Sequence, residues 1–132
     1  MTPTLTATLD FQGQALLLRA ERQRLIAGNI ANADTPGYEA RDFDFARALR
    51  EASAGSALGE GLAAGVMARG GAAQPTLRYA LPAQTNLDRN TVDMDRERAA
   101  FADNAVKYEA TLRFINASVR TTLDAMKSPN QA

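Results

Sequence analysis

The sequence predicts a mainly α protein: two long terminal helices packed as a coiled-coil-like pair, joined by an irregular middle. Three observations predict it. Apolar residues recur at steps of three, four or seven at both ends of the chain. A Gly/Pro turn, Asn29-Ile-Ala-Asn-Ala-Asp-Thr-Pro-Gly-Tyr38, closes the first pattern. Little between the two looks like a core.

The N-terminal helix is predicted over residues 1–31, with its regular part from Leu5 to Ile30. Leu5, Leu9, Leu16, Ala20, Ala27 and Ile30 share one face, interrupted by Gln12 and Gln23. Phe11, Leu18 and Leu25 repeat every seven residues on nearly the opposite side. An ordinary surface helix carries one apolar face, so two stripes predict a helix sandwiched between neighbours. Asn32, Asp34 and Thr35-Pro36-Gly37 then stop it. Pro36 cannot continue a helix and pushes Thr35 toward an extended backbone. Pro-Gly at the centre of four residues suits a type II turn.

Residues 32–53 continue as turn and extended or short helical segment. Phe43 and Phe45 share one side if extended; a helix over Asp44 to Ala52 is the alternative. Residues 54–74 hold Gly55, Gly59, Gly61, Gly65, Gly70 and Gly71 and read as a flexible loop. Over 75–92 the chain is short β or irregular, with a strand expected at Thr76 to Leu81.

The C-terminal helix, 93–127, is the strongest pattern. Asp93 is the expected N-cap, with Asp95 and Glu97 in the first turns. Phe101, Ala105, Tyr108, Leu112, Ile115 and Val119 alternate by four and three, and Met126 follows seven later. This is an a/d seam, expected to pack on the Leu5 to Ile30 stripe in a parallel or antiparallel pair. Asp103–Lys107 and Glu109–Arg113 add i,i+4 ion pairs. Ala99, Val106, Ala110 and Ala117 form a small-residue stripe on the far side. Together with Phe11, Leu18 and Leu25 it is expected to stay free for other subunits. Residues 128–132 form a tail that begins at the Ser128-Pro129 stop. The whole is one domain.

Composition excludes several function classes. There are 15 basic and 15 acidic residues, so the net charge is zero, without the excess of Lys and Arg that nucleic acid or an anionic membrane selects. Cysteine and histidine are absent, which removes disulfides, thiolate sites and the commonest general base. Asp42, Asp44, Asp93, Asp95 and Glu97 read as caps and solvated charge. No catalytic residue, cofactor or metal site is expected. No run reaches the roughly 18 apolar residues of a membrane span. The first ten residues lack the features of a cleaved signal, so retention in the cytoplasm or export without such a signal is expected.

The turn and its surroundings carry a resemblance. Asn29 to Tyr38 resembles the signature of bacterial flagellar basal-body rod and hook proteins, and it sits at the end of the N-terminal helix as in that family. Glu39-Ala-Arg-Asp-Phe-Asp-Phe45 and Asn90-Thr-Val-Asp-Met-Asp-Arg-Glu97, leading into Asn104 to Tyr108, are most similar to the short proximal rod proteins. The resemblance implies a self-assembling structural subunit of a hollow rod that transmits torque and passes exported subunits. It implies export by the flagellar type III apparatus and a place on the periplasmic side of the inner membrane. Implied partners are copies of itself, FlgC-like and FliE-like rod proteins and the export gate. Asn29, Asn32, Thr35, Pro36, Gly37 and Tyr38 would shape subunit contacts. The competing readings are a small helical export adaptor or chaperone and, within the family, the neighbouring FlgC type.

Overall fold

A computed structural model of the chain describes residues 5–57, 78, 79, 87 and 89–127. Among them are three helices and one strand pair: α1 Leu5–Ala31, β1 Arg41–Asp42, α2 Phe45–Ala57, β2 Arg78–Tyr79 and α3 Met94–Met126. The mainly α architecture is the one the sequence predicts. β1 and β2 are antiparallel, with Arg41 opposite Tyr79 and Asp42 opposite Arg78. The expected loop lies outside the described residues from position 58 on, as do the rest of the expected strand and the tail from 128. Residues 54–57 are described, and they extend α2 rather than open the loop.

Local chemistry sets the ends of the elements. Asp93 caps α3, its carboxylate accepting from the Asp95 and Arg96 amides, with Asp95 and Glu97 in the first turn. Asp44 does the same for α2, accepting from Arg47 N at 3.1 Å. Such a cap is worth about 1 kcal/mol. At the end of α1 the Asn32 side chain donates back to the Gly28 carbonyl at 2.8 Å. The chain then turns: Tyr38 N donates to Thr35 O at 3.2 Å, and Gly37 has φ +73°, the positive value that a type II turn needs at its third residue. Asp103–Lys107 and Glu109–Arg113 pair at 2.8 and 2.9 Å. Both are exposed and add only tenths of a kcal/mol.

Helices α1 and α3 lie side by side and antiparallel. Asn29 bonds Glu97, Gln23 bonds Asn104, and Arg19 bonds Thr111, so partners advance in opposite directions. The line of α3 that faces α1 holds the buried Asn104 and Thr111. It is polar, and here the structure departs from the expected seam. Phe101, Ala105, Val119 and Met126 are exposed, and Tyr108, Leu112 and Ile115 are half-buried. Ala105 and Leu112 each follow a contact residue by one position, a rotation of about 100°. The apolar stripe is therefore a flank of the contact, not its centre. On α1, Leu9, Leu16 and Ile30 are half-buried and Ala20 and Ala27 exposed, while Ala15 and Ile26 are buried. That stripe too is displaced, by one residue from Ala15, Arg19 and Ile26. The side chain of Leu5 lies outside the described residues.

The second stripe on α1 divides. Leu18 and Leu25 join Phe43 and Ala48 in the buried apolar cluster, with Phe45 and Leu49 against it. These two leucines, expected to wait for other subunits, are covered by the chain's own α2. Phe11 remains 43 % exposed. On α3 the stripe Ala99, Val106, Ala110 and Ala117 is exposed throughout. Core position predicts energy. Leu25→Ala is expected to cost about 2–4 kcal/mol in urea denaturation. Leu17→Ala, at a position 55 % exposed, should change stability by under about 0.5 kcal/mol. Equal effects would show that α2 does not close on α1.

Candidate functional site

Three asparagines organise the end of the molecule where α1 stops and α3 starts. Asn29, Asn90 and Asn104 are the largest fully buried side chains, at 1 %, 0 % and 1 % exposure. A buried amide costs roughly 1–3 kcal/mol if left unpaired, so its partners fix its surroundings.

Asn29 uses all four of its hydrogen-bonding positions. Its Nδ2 donates to Arg41 O at 2.8 Å and to Glu97 Oε1 at 3.2 Å. Its Oδ1 accepts from Arg41 N at 2.9 Å and from the Tyr38 hydroxyl at 3.2 Å. One amide thus joins the last turn of α1, the signature turn, β1 and the first turn of α3. Asn90 reads the turn itself. Its Nδ2 lies within 2.9 Å of the carbonyls of Asn32, Ala33 and Thr35, and its Oδ1 accepts from Val92 N at 2.9 Å. Thr91 N donates to Tyr38 O at 3.1 Å and Ala40 N to Thr91 Oγ1 at 2.9 Å. The turn is held from both sides by the strand-like entry to α3.

Asn104 is the third tie. Its Nδ2 donates to Arg19 O at 2.9 Å and Gln23 Oε1 at 2.7 Å. Its Oδ1, like Arg22 Nε, is buried without a partner among the described residues. Arg19 spans the layers: Nε donates to Thr111 Oγ1 at 3.2 Å, and the guanidinium lies 4.3 Å from the Phe45 ring centre. Burial pushes its pKa down, Arg22 adds to this and Asp103 opposes it. Arg22 also pairs with Asp42 at 3.4 Å.

Glu97 is the sensitive charge. Burial raises its pKa above the ordinary carboxylate value, and Asp42 raises it further. The Asn29 hydrogen bond, Arg96 and Arg22 pull it down, but less.

Of the predicted turn residues, the structure ties Asn29, Asn32 and Tyr38 into this network. Thr35 contributes a carbonyl and a hydroxyl bond to Asn32 Oδ1 at 3.2 Å. Pro36 and Gly37 are exposed and shape the backbone. Sequence reasoning missed Asn90, Asn104 and Arg19. For Asn104 the signal was present: Glu97, Asn104, Thr111 and Ser118 repeat every seven residues, a polar heptad beside the apolar one.

The polar contact line leaves an apolar surface. On α1, Leu16, Ala20 and Ala27 each follow a residue of the contact line (Ala15, Arg19, Ile26) by one position. On α3, Ala105 and Leu112 follow Asn104 and Thr111 in the same way, with Phe101 and Val119 one turn or two further along the same face. The helices are antiparallel, so the same sense of rotation carries both rows to one side of the pair. Leu18 and Leu25 stand two residues, about 200°, from Leu16 and Ala27, so α2 covers the opposite side. The strip, with Leu123 at its end, remains open: Phe101 is 41 %, Val119 40 % and Leu123 57 % exposed. No group of three or more potential metal ligands occurs among the described residues. The arrangement offers a surface for packing.

A family described as "Flagella basal body rod protein" matches residues 9–38. The chain is 44 % identical to the flagellar basal body rod protein FlgB of Escherichia coli (strain K12), over 98 % of this chain and 100 % of that one. It is 43 % identical to FlgB of Proteus mirabilis (strain HI4320), over 96 % and 98 %. Against FlgB of Cereibacter sphaeroides it is 40 % identical, over 90 % and 93 %.

The Glu97 environment sets a pH signature. Because the folded state binds the Glu97 proton more tightly than the unfolded chain, its ionisation subtracts stability as pH rises through the carboxylate range. Glu97→Gln keeps an acceptor for Asn29 and loses the charge. The variant's stability relative to the parent chain should rise between about pH 4 and pH 7 and then level off. Urea midpoints measured across that range check it, and a difference that stays flat or falls contradicts it.

Proposed function

The chain belongs to the FlgB family of flagellar basal body rod proteins, and from that premise we propose where it sits and what it touches. It is a structural subunit of the rod, not an enzyme, and it assembles with other rod components. No described helix is long and apolar enough to cross a membrane. The finer placement is our proposal. The chain lies on the periplasmic side of the inner membrane and reaches it through the flagellar type III apparatus without a cleaved signal. There it joins copies of itself, FlgC-like and FliE-like neighbours and the export gate, in a hollow shaft that carries torque outward and passes exported subunits.

One observation carries this reading. The line of α3 that faces α1 buries the polar Asn104 and Thr111, while Phe101, Val119, Leu123 and Met126 stay exposed beside it, more apolar surface than a finished monomer leaves open. A subunit that completes its core by assembly has this form. The turn residues Asn29, Asn32, Thr35, Pro36, Gly37 and Tyr38 hold the end of the pair in one shape for its neighbours. The C-terminal row from Phe101 to Met126, the α1 row from Leu5 to Ile30, and the exposed Phe11, Ala99, Val106, Ala110 and Ala117 supply packing surface.

An export adaptor or chaperone is the reading from another class, and it makes the opposite demand. Cells lacking this chain are expected to be non-motile, with basal bodies that carry the membrane ring but no rod in electron micrographs. The chain itself is expected in purified basal bodies of the parent strain. Intact rods in the deletion strain contradict the proposal. So does a chain found only in the cytoplasm.

A further inference from the structure

The turn that leads into α3 holds a side chain where the backbone disfavours one. Arg89 has φ +62°, and it is the one non-glycine among the described residues with a positive φ. In that left-handed region Cβ crowds the following carbonyl. Glycine is at ease there, asparagine and aspartate less so, and arginine is out of place. Nothing inside the molecule rewards the side chain for its position. Arg89 is exposed, and its guanidinium makes no ion pair or hydrogen bond among the described residues. Two positions earlier, Leu87 is 109 % exposed, beyond every other large apolar side chain described.

Both side chains stand on a fixed base. Asn90 follows directly and is wholly buried, with its Nδ2 on the carbonyls of Asn32, Ala33 and Thr35. Thr91 then bonds Tyr38 through its amide and Ala40 through its hydroxyl. These bonds hold the chain on one side of Arg89. A strained conformation persists where its surroundings over-determine it, and such positions gather at functional contacts.

We propose that Leu87 and Arg89 form a contact point for a neighbouring rod component, with the Arg89 guanidinium on a carboxylate and Leu87 among apolar side chains beside it. The proposal rests on the rod reading and adds a contact away from the faces of the long helices. The chemistry selects a protein surface. An anionic membrane is held by clusters of about four to eight basic residues, and nucleic acid by an excess of positive charge. One guanidinium and one leucine are too little for either. Against a carboxylate the guanidinium makes charge-assisted hydrogen bonds, and arginine is enriched where proteins meet.

Glycine separates the backbone from the side chain. Arg89→Gly relieves the strain, so the urea midpoint of the purified chain is expected to rise by about 0.3 M. In cells lacking the parent chain, the same variant is expected to give about threefold fewer rod-bearing basal bodies in electron micrographs, as loss of a contact residue should. Leu87→Ser is expected to leave the midpoint in place and to lower the rod count similarly. Rods at the parent level with either variant overturn the proposal. So does an unchanged or lower midpoint for Arg89→Gly, or a lower one for Leu87→Ser, since the side chain would then belong to the fold.

The carboxylate is tested chemically. The Arg89→Lys variant is expressed beside the parent chain, and purified basal bodies are treated with a carbodiimide, which joins an amine to a carboxylate in contact with it. A cross-link from position 89 to an acidic residue of another subunit is expected. A cross-link only within the same chain, or none in intact rods, overturns the proposal while leaving the rod reading standing. Absence of the parent chain from basal bodies instead removes the rod reading itself.

Discussion

A buried carboxamide is an exacting constraint. It presents two donors and two acceptor positions, and water is not there to fill a vacant one. Asn29 meets this demand with four partner atoms on three residues, Tyr38, Arg41 and Glu97. Asn90 meets it by pointing one nitrogen at three carbonyls of the turn, those of Asn32, Ala33 and Thr35. A shift of one residue in any of these elements strands a polar group at a cost of roughly 1–3 kcal/mol. Apolar contacts do not discriminate in this way, since a leucine slides by a few tenths of an ångström at little cost. The asparagines therefore set where α1 ends, how the turn folds back and where α3 begins.

The rest of the molecule follows from that choice. With Asn104, Thr111, Arg19 and Gln23 joined across it, much of the contact between α1 and α3 is hydrogen-bonded, and most of the large apolar side chains lie elsewhere. Those of one α1 face go to α2, where Leu18 and Leu25 meet Phe43 and Ala48. The remainder, from Leu9 to Val119, stays on the open side. Polar groups give the pair its register, and apolar groups are left to give the assembly its cohesion. This division suits a subunit whose shape must be set before its neighbours arrive, and whose stability matters most after they do.

Much of this was legible in the sequence. Helix ends were, because caps and breakers act locally: Asp93, Pro36 and Gly37 stand where their chemistry requires. The family was legible from the ten residues around the turn, and those residues are the ones the buried asparagines hold. The contact line between the long helices was not. Two heptads run along α3, one residue apart, and hydrophobic periodicity selects the apolar one. The polar heptad through Glu97, Asn104, Thr111 and Ser118 looks like a wetted face until its partners Arg19 and Gln23 are seen across from it. Gln12 and Gln23 had marked the matching face of α1 as interrupted. The full extent of α2 was hidden for a different reason. Its second half, Ala52 to Ala57, has the small-residue composition of a loop, and in the structure it continues the helix whose start packs through Phe45, Ala48 and Leu49.

The central claim is that buried asparagine amides lock this end of the molecule. Their side-chain protons report on it directly. In the folded chain, nuclear magnetic resonance should find the Nδ2 protons of Asn29, Asn90 and Asn104 exchanging with solvent at least a hundredfold more slowly than those of Asn116, which is exposed on α3. Exchange of all four at the rate of Asn116 would show that the amides are open to water, and the lock would not exist.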